Sequence, residues 1–177
     1  MDDRGIIELC QCGHPAGVSR LLAAYQERVY RTAYLYLHHR EDARDITQEV
    51  FLRMVRSVYS LDPERPIWPW LRRVTANLSI NLLKKRRVEV SLDDLPEHAQ
   101  PQSDSAEAAW TRMAIWEALR QIPPLWRIVL TLRHQEDLSY EDIAHVMDLP
   151  VGTVKTYLFR GRRLLREKLA MGEGLDG

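Results

Sequence analysis

Lys155, Thr156, Phe159 and Arg160 carry the chemistry that stands out most clearly in this chain. Val154 and Leu158, four residues apart, mark the inward stripe of one helix, and these four residues take its other side. A cationic, partly aromatic helix face of this kind suits phosphates and base edges in a DNA major groove. The segment just before it reads as a bracing helix. Ser139 is a natural N-cap, Asp142 three residues later completes a capping-box-like start, and Ile143, Ala144 and Met147 share an inward face. Asp148-Leu149-Pro150 breaks that helix and starts the next, giving a helix-turn-helix over about 139–158. An ordinary surface hairpin is the simpler alternative, but cap, turn and basic face coincide here.

Other groups with chemical potential weigh less. Cys10-Gln11-Cys12-Gly13-His14 offers thiolates and an imidazole, yet a structural zinc site needs four ligands and the cluster holds three. The two cysteines are therefore read as ordinary, and no metal or cofactor is assigned. No nucleophile–base pair or glycine-rich phosphate loop is legible, so no catalytic activity is expected. Formal net charge is zero, from 25 Lys plus Arg against 25 Asp plus Glu, but the charges are segregated. Residues 151–169 hold six bases and one acid, and residues 71–87 hold six bases and no acid. Residues 89–107, between them, hold six acids and no Lys or Arg. Two basic surfaces separated by an acidic tether point to two phosphate-contacting regions on one chain.

The elements that must carry these groups are helical. Apolar residues recur at helical spacing in three runs, which predict helices over 17–38, 41–59 and 67–86. A further helix starts near Ala106, carried by Ala109, Met113, Trp116 and Leu119, and stops at Pro123-Pro124. Trp126, Val129 and Leu130 mark another before the helix-turn-helix. His38 and His39 are read as the end of the first helix, where a histidine complements the dipole. With no sustained period-two alternation, the expected fold is all-α: two small helical domains joined by a flexible acidic linker. No segment is long and apolar enough to span a membrane, and the start lacks a signal peptide's pattern, so a cytoplasmic location is expected.

Residues 42–53, Asp-Ala-Arg-Asp-Ile-Thr-Gln-Glu-Val-Phe-Leu-Arg, resemble the polymerase-binding helix of sigma factors. Residues 70–77, Trp-Leu-Arg-Arg-Val-Thr-Ala-Asn, followed by Lys84-Lys85-Arg86-Arg87, resemble their promoter-melting and minus-ten segment. With the helix-turn-helix these motifs stand in the family's order over roughly 15–170. No counterpart of region three lies between the halves. The chain thus resembles an extracytoplasmic-function (ECF, group four) sigma factor of the sigma-70 family.

The resemblance implies region 2 over 15–88, a linker over 89–106 and region 4 over 107–170. It implies contacts to core RNA polymerase, at its β′ clamp and β subunits, from Asp42, Asp45, Gln48, Glu49 and Arg53. It implies minus-ten DNA contacts from Arg65, Arg72, Arg73, Asn77, Asn81, Lys84 and Arg86, with Asn77 near a pocket for a flipped base. An amide suits that task because it both donates and accepts on a base edge. Residues 62–67 correspond to the specificity loop, whose prolines and nearby Trp68 depart from the usual pattern. Trp70 is read as a core anchor. Minus-35 contacts are implied for Thr153, Lys155, Thr156, Phe159, Arg160 and Arg163, with Arg160 suited to guanine and Phe159 or the Thr156 methyl to thymine. Arg162, Arg163 and Arg166 suit phosphates. A linker of about 19 residues reaches roughly 60 Å, nearly two turns of duplex at about 34 Å each. The resemblance further implies promoter DNA and an anti-sigma factor as partners. Two alternatives stay open: a homodimeric helix-turn-helix regulator that never joins polymerase, and a metal or redox sensor centred on Cys10 and Cys12.

Overall fold

The protein is described here by a computed structural model covering residues 3–89 and 106–173. The chain divides into two compact units, Met1–Val90 and Ser91–Gly177. Every regular element among the described residues is helical. The expected linker falls almost wholly at residues 90–105, outside the described residues.

The first unit holds α1 (Asp3–Gln11), α2 (Ala16–Leu37), α3 (Arg40–Ser57), a short 3-10 turn (Val58–Ser60) and α4 (Trp68–Glu89). Leu21, Val29, Ala33 and Tyr36 of α2 are buried, as are Val50 and Met54 of α3 and Leu71 of α4. The apolar stripes read from the sequence therefore face one another, and their burial supplies the main driving force for this unit. Buried hydroxyls are satisfied locally. Thr47 donates to the Ala43 carbonyl at 2.6 Å and Thr75 to the Leu71 carbonyl at 2.8 Å.

Helix α1 precedes the first expected helix. It packs on α2 through Ile6, Ile7 and Cys10, and Gly17 makes the close approach possible. A Cβ at Gly17 would stand 2.7 Å from the Cys10 backbone nitrogen. Between α2 and α3 the two histidines divide the work. His38 takes the left-handed conformation (φ 50°) and its N–H donates to the Tyr34 carbonyl. His39 instead caps the next helix, its Nδ1 accepting from the Asp42 N–H at 3.3 Å. The sequence reading gave both histidines to the end of α2, and the two-residue connection leaves no room for that.

The second unit holds α5 (Ala106–Arg120), α6 (Pro124–His134), α7 (Tyr140–Met147) and α8 (Val151–Glu173). Pro124 opens α6 at its first turn, where a missing N–H costs nothing. On α5, Leu119 is buried as expected, but Met113 stays 47% exposed. The buried Arg127 of α6 donates to the Leu119 and Arg120 carbonyls at 3.2 and 3.4 Å, satisfying the end of α5. Ile143 and Met147 of α7 and Val154 and Leu158 of α8 complete the core with Ile128 and Leu132.

Candidate nucleic-acid interface

The helix-turn-helix forms as its sequence demands. Ser139 caps α7: its Oγ accepts from the Asp142 N–H at 3.0 Å and donates to the Asp142 carboxylate at 2.6 Å. Asp148, at φ 52°, ends α7, and the Leu149 N–H donates back to the Ala144 carbonyl. Pro150 accepts from the Thr153 and Val154 N–H groups and so opens α8. Gly161 then lets α8 lie against α6, because a Cβ there would meet Leu130 at 3.0 Å.

This packing turns a defined set of side chains outward. Lys155, Thr156, Phe159, Arg160, Arg162, Arg163 and Arg166 are all exposed, and Thr153 is half-buried. Phe159 is 67% exposed, a large apolar ring in a cationic surface. The Thr156 hydroxyl donates to the Gly152 carbonyl at 2.9 Å, so its methyl is the free contact group. The Arg160 guanidinium lies 6.0 Å over the Trp126 ring, toward α6. Arg163 is near Glu167 at 3.5 Å. Arg162 donates to Nε2 of His134 at 3.2 Å, which requires that nitrogen to be neutral. Burial first, then Arg162 and Arg133, hold the His134 pKa below its ordinary 6.5.

In the first unit, Arg73, Asn77, Asn81 and Lys84 make one outward stripe along α4, within about 80° of arc at 3.6 residues per turn. All are exposed except half-buried Asn77. Half-buried Trp70 falls on the same stripe, whereas Trp68 is 8% exposed, stacked 6.3 Å from Tyr25 with the Arg28 guanidinium 3.7 Å over its ring. Trp68 is therefore the more deeply buried ring, whereas the sequence reading made Trp70 the core anchor. Arg72 and Arg86 lie off the stripe and are half-buried. Arg86 makes a two-pronged ion pair with Asp42, at 2.6 and 2.7 Å. Arg65 is 82% exposed in the 62–67 loop and lies 3.3 Å from Asp62.

That ion pair also bears on the α3 surface. Asp42, which the resemblance gives to the docking face, is buried and paired with Arg86 of α4. Asp45, Gln48 and Arg53 are exposed and Glu49 is half-buried, with Arg53 and Glu49 paired at 2.7 Å. The same side of α3 and its following turn carries Leu52, Val55 and Tyr59, exposed by 52, 41 and 74%. The sequence analysis missed these apolar groups, though their helical phase beside Asp45 and Gln48 was a usable signal. An exposed apolar patch beside acidic and amide groups is suited to a protein partner.

The Cys10–His14 stretch offers no built metal site. Among the described residues no group of three or more His, Cys, Asp or Glu side chains is arranged to hold an ion. Cys10 is buried and Cys12 exposed, and burial pushes the Cys10 thiol above its ordinary pKa, away from the thiolate a metal needs. His14 accepts from the Ala16 N–H through Nδ1 at 3.1 Å.

Comparison with known proteins agrees with the geometry. Residues 21–89 match the Sigma-70 region 2 family and residues 112–165 match Sigma-70, region 4. The RNA polymerase sigma-H factor of Pseudomonas aeruginosa is 31% identical over 180 residues, covering 94% of this chain and 93% of its own. The ECF RNA polymerase sigma-E factor of Haemophilus influenzae is 30% identical, covering 96% of both chains. The Bacillus subtilis factor SigW is 31% identical over 82% of this chain and 84% of its own. Two solved complexes share the fold at 21% identity. One is CnrH with the cytosolic domain of CnrY, with a TM-score of 0.63 over 96% of this chain and 97% of that one. The other is the sigma factor RpoE with the anti-sigma factor NepR from Bartonella quintana, with a TM-score of 0.64 over 88 and 98%.

Proposed function

The chain belongs to the sigma-70 family, as an extracytoplasmic-function sigma factor, and from that premise we propose how its two units divide the work of promoter recognition. A sigma factor is the promoter-specificity subunit that joins core RNA polymerase and directs transcription initiation. The first unit, about 15–88, docks on the polymerase β′ clamp through Asp45, Gln48, Glu49 and Arg53 of α3. Leu52, Val55 and Tyr59 add apolar contact there. The same unit holds melted minus-ten DNA along Arg73, Asn77, Asn81 and Lys84, with Arg65 in the loop before α4. The second unit, about 107–170, reads the minus-35 duplex with Lys155, Thr156, Phe159 and Arg160. Thr153 and Arg163 join that surface, and Arg162 and Arg166 hold phosphates. The acidic segment over 89–106 joins the two units along the chain.

One observation carries this assignment. A protein-docking patch and a basic helix stripe share the first unit, while a second, separate unit carries a basic recognition helix. A homodimeric operator-binding regulator needs the second surface but has no use for the first. The chain acts as a regulatory subunit with no catalytic chemistry of its own, in the cytoplasm, and is held in check by an anti-sigma factor. Both solved neighbours were captured with a protein partner, one of them an anti-sigma factor, which supports that reading. Co-elution with core polymerase in gel filtration, followed by run-off transcription mapped across the genome, is the test. A protein that binds duplex DNA as a dimer but neither joins core nor starts transcripts would overturn the assignment.

A further inference from the structure

Helix α1 lies ahead of the segment matched to region 2, yet its polar side chains reach the loop that leads into α4. Gln11 donates through Nε2 to two carbonyls just ahead of that loop, Val58 of the 3-10 turn and Leu61 at its exit, at 2.9 Å each. Arg4 meets Glu64 in its middle at 2.8 Å. Asp3 accepts from the Ile67 N–H at its end, 2.9 Å away, and its other carboxylate oxygen accepts from the Tyr25 hydroxyl. Three residues on one short helix thus hold the entry to the loop, its middle and its end. The loop is turned by bonds of its own around Asp62, none of which ties it to the helices. Pro63 and Pro66 fix φ there, the Arg65 N–H donates to the Asp62 carbonyl at 3.1 Å, the Glu64 N–H donates to the Asp62 carboxylate at 3.0 Å, and Arg65 lies 3.3 Å from Asp62. What α1 adds is attachment of this turned segment to the helical unit.

We infer that α1 is a clasp for the 62–67 loop, and that Asp3 and Gln11 are positioning residues that set minus-ten specificity without touching DNA. This rests on the reading of that loop and the α4 stripe as the minus-ten surface. A loop that captures an extruded base must already be ordered, because any freedom it keeps is lost again on each capture. The Tyr25 hydroxyl strengthens the clasp from the α2 side. Burial, then its bond to Asp3, push its pKa well up, so it remains a donor across the physiological range. Trp68, stacked against Tyr25, fixes the far end, where the loop becomes α4. Arg4 is more than half exposed, as is Glu64, so its pair adds less than the other contacts.

The test is Gln11→Glu, which preserves shape but sets a carboxylate, an acceptor only, against two carbonyl oxygens. Asp3→Ala removes the other end, and Asp3→Asn keeps one oxygen acceptor and should rescue it in part. Amide exchange in the full-length free chain should accelerate by about 5- to 30-fold over 61–67 in Gln11→Glu, as two lost hydrogen bonds imply. The interior of α4 should stay protected. With core polymerase, the same variant should lose discrimination among single-base changes in the minus-ten element, while core association and minus-35 duplex binding stay at parental levels. Parental exchange over 61–67 would overturn the clasp itself. Faster exchange with unchanged minus-ten discrimination would instead remove the loop from base reading, and with it the specificity role. If Gln11→Glu fails to fold, Asp3→Ala and Asp3→Asn carry the same comparison from the other end.

Discussion

Arg86→Ala decides between two roles for one side chain. As a phosphate contact, Arg86 would add affinity for promoter DNA and nothing to the fold. The structure ties it instead to Asp42 through a hydrogen bond of 2.7 Å and an ion-pair approach of 2.6 Å, linking α4 to the first turn of α3. The Asp42 side chain is 10% exposed and that of Arg86 is 42% exposed. Breaking a fully buried pair costs about 3–5 kcal/mol, whereas exposed pairs contribute about 0.2–1 kcal/mol. With one partner buried and the other reached by water, about 2 kcal/mol is expected, most of it from stranding the carboxylate. For a unit of this size that lowers the midpoint by about 8–16 °C. Calorimetry of the full chain should show the shift in one of its two unit transitions. Changing Asp42 to Ala in the Arg86→Ala background should add little further loss, since the interaction is already gone. Binding to a pre-melted minus-ten oligonucleotide, measured where the variant remains folded, should match the parent. A midpoint within about 1 °C of the parent, together with weaker binding and a shallower salt slope, would refute the structural assignment and return Arg86 to the DNA surface.

Asp45→Arg with Glu49→Arg should remain folded, because it changes an outer helix face and loses one exposed pair with Arg53. It should fail to co-elute with core polymerase, where reversed charge costs several kcal/mol; lost helicity would show these residues to be structural. Arg160→Ala should weaken the cognate minus-35 duplex by about 1–3 kcal/mol relative to a scrambled one, while Arg166→Ala should weaken both and flatten the salt dependence. Equal losses for Arg160→Ala in paired titrations would argue against base reading. His134 should titrate below 6.5 by NMR, and Arg162→Ala should move its midpoint up without restoring it fully, since burial is the larger cause. A histidine with a depressed folded pKa binds fewer protons folded than unfolded. Its contribution to stability is therefore present above pH 6.5 and is lost as pH falls through the folded pKa. A midpoint at or above 6.5 would contradict the neutral acceptor seen here.

Patterned elements were legible from sequence because their signals are local. The Ser139 cap, the Asp148-Leu149-Pro150 break and the Val154–Leu158 stripe each follow from neighbouring residues, and each is found in place. The motifs carried the family for the same reason, since they encode surfaces on single helices. The assignments that changed depend on where a second element lies. Asp42 and Arg86 are 44 residues apart, and nothing in the residues around either one reports that α4 crosses α3 there. Trp68 and Trp70 differ by two residues, and only the position of Tyr25 and Arg28 decides which ring is covered.

The sequence by itself determined that the chain is helical, that a helix-turn-helix closes it, and that two basic surfaces flank an acidic stretch. Helical period, capping and charge placement are short-range properties of the chain, so they are legible before any packing is known. Only the tertiary structure decided which charged groups are available to a partner and which are consumed in holding helices together. It also showed that α1, whose polar residues look unremarkable in isolation, reaches across some fifty to sixty positions to the loop before α4. An ionisable side chain has the same chemistry in either setting. Its role is set by the dielectric and the partners that folding brings to it, and those come from distant parts of the chain.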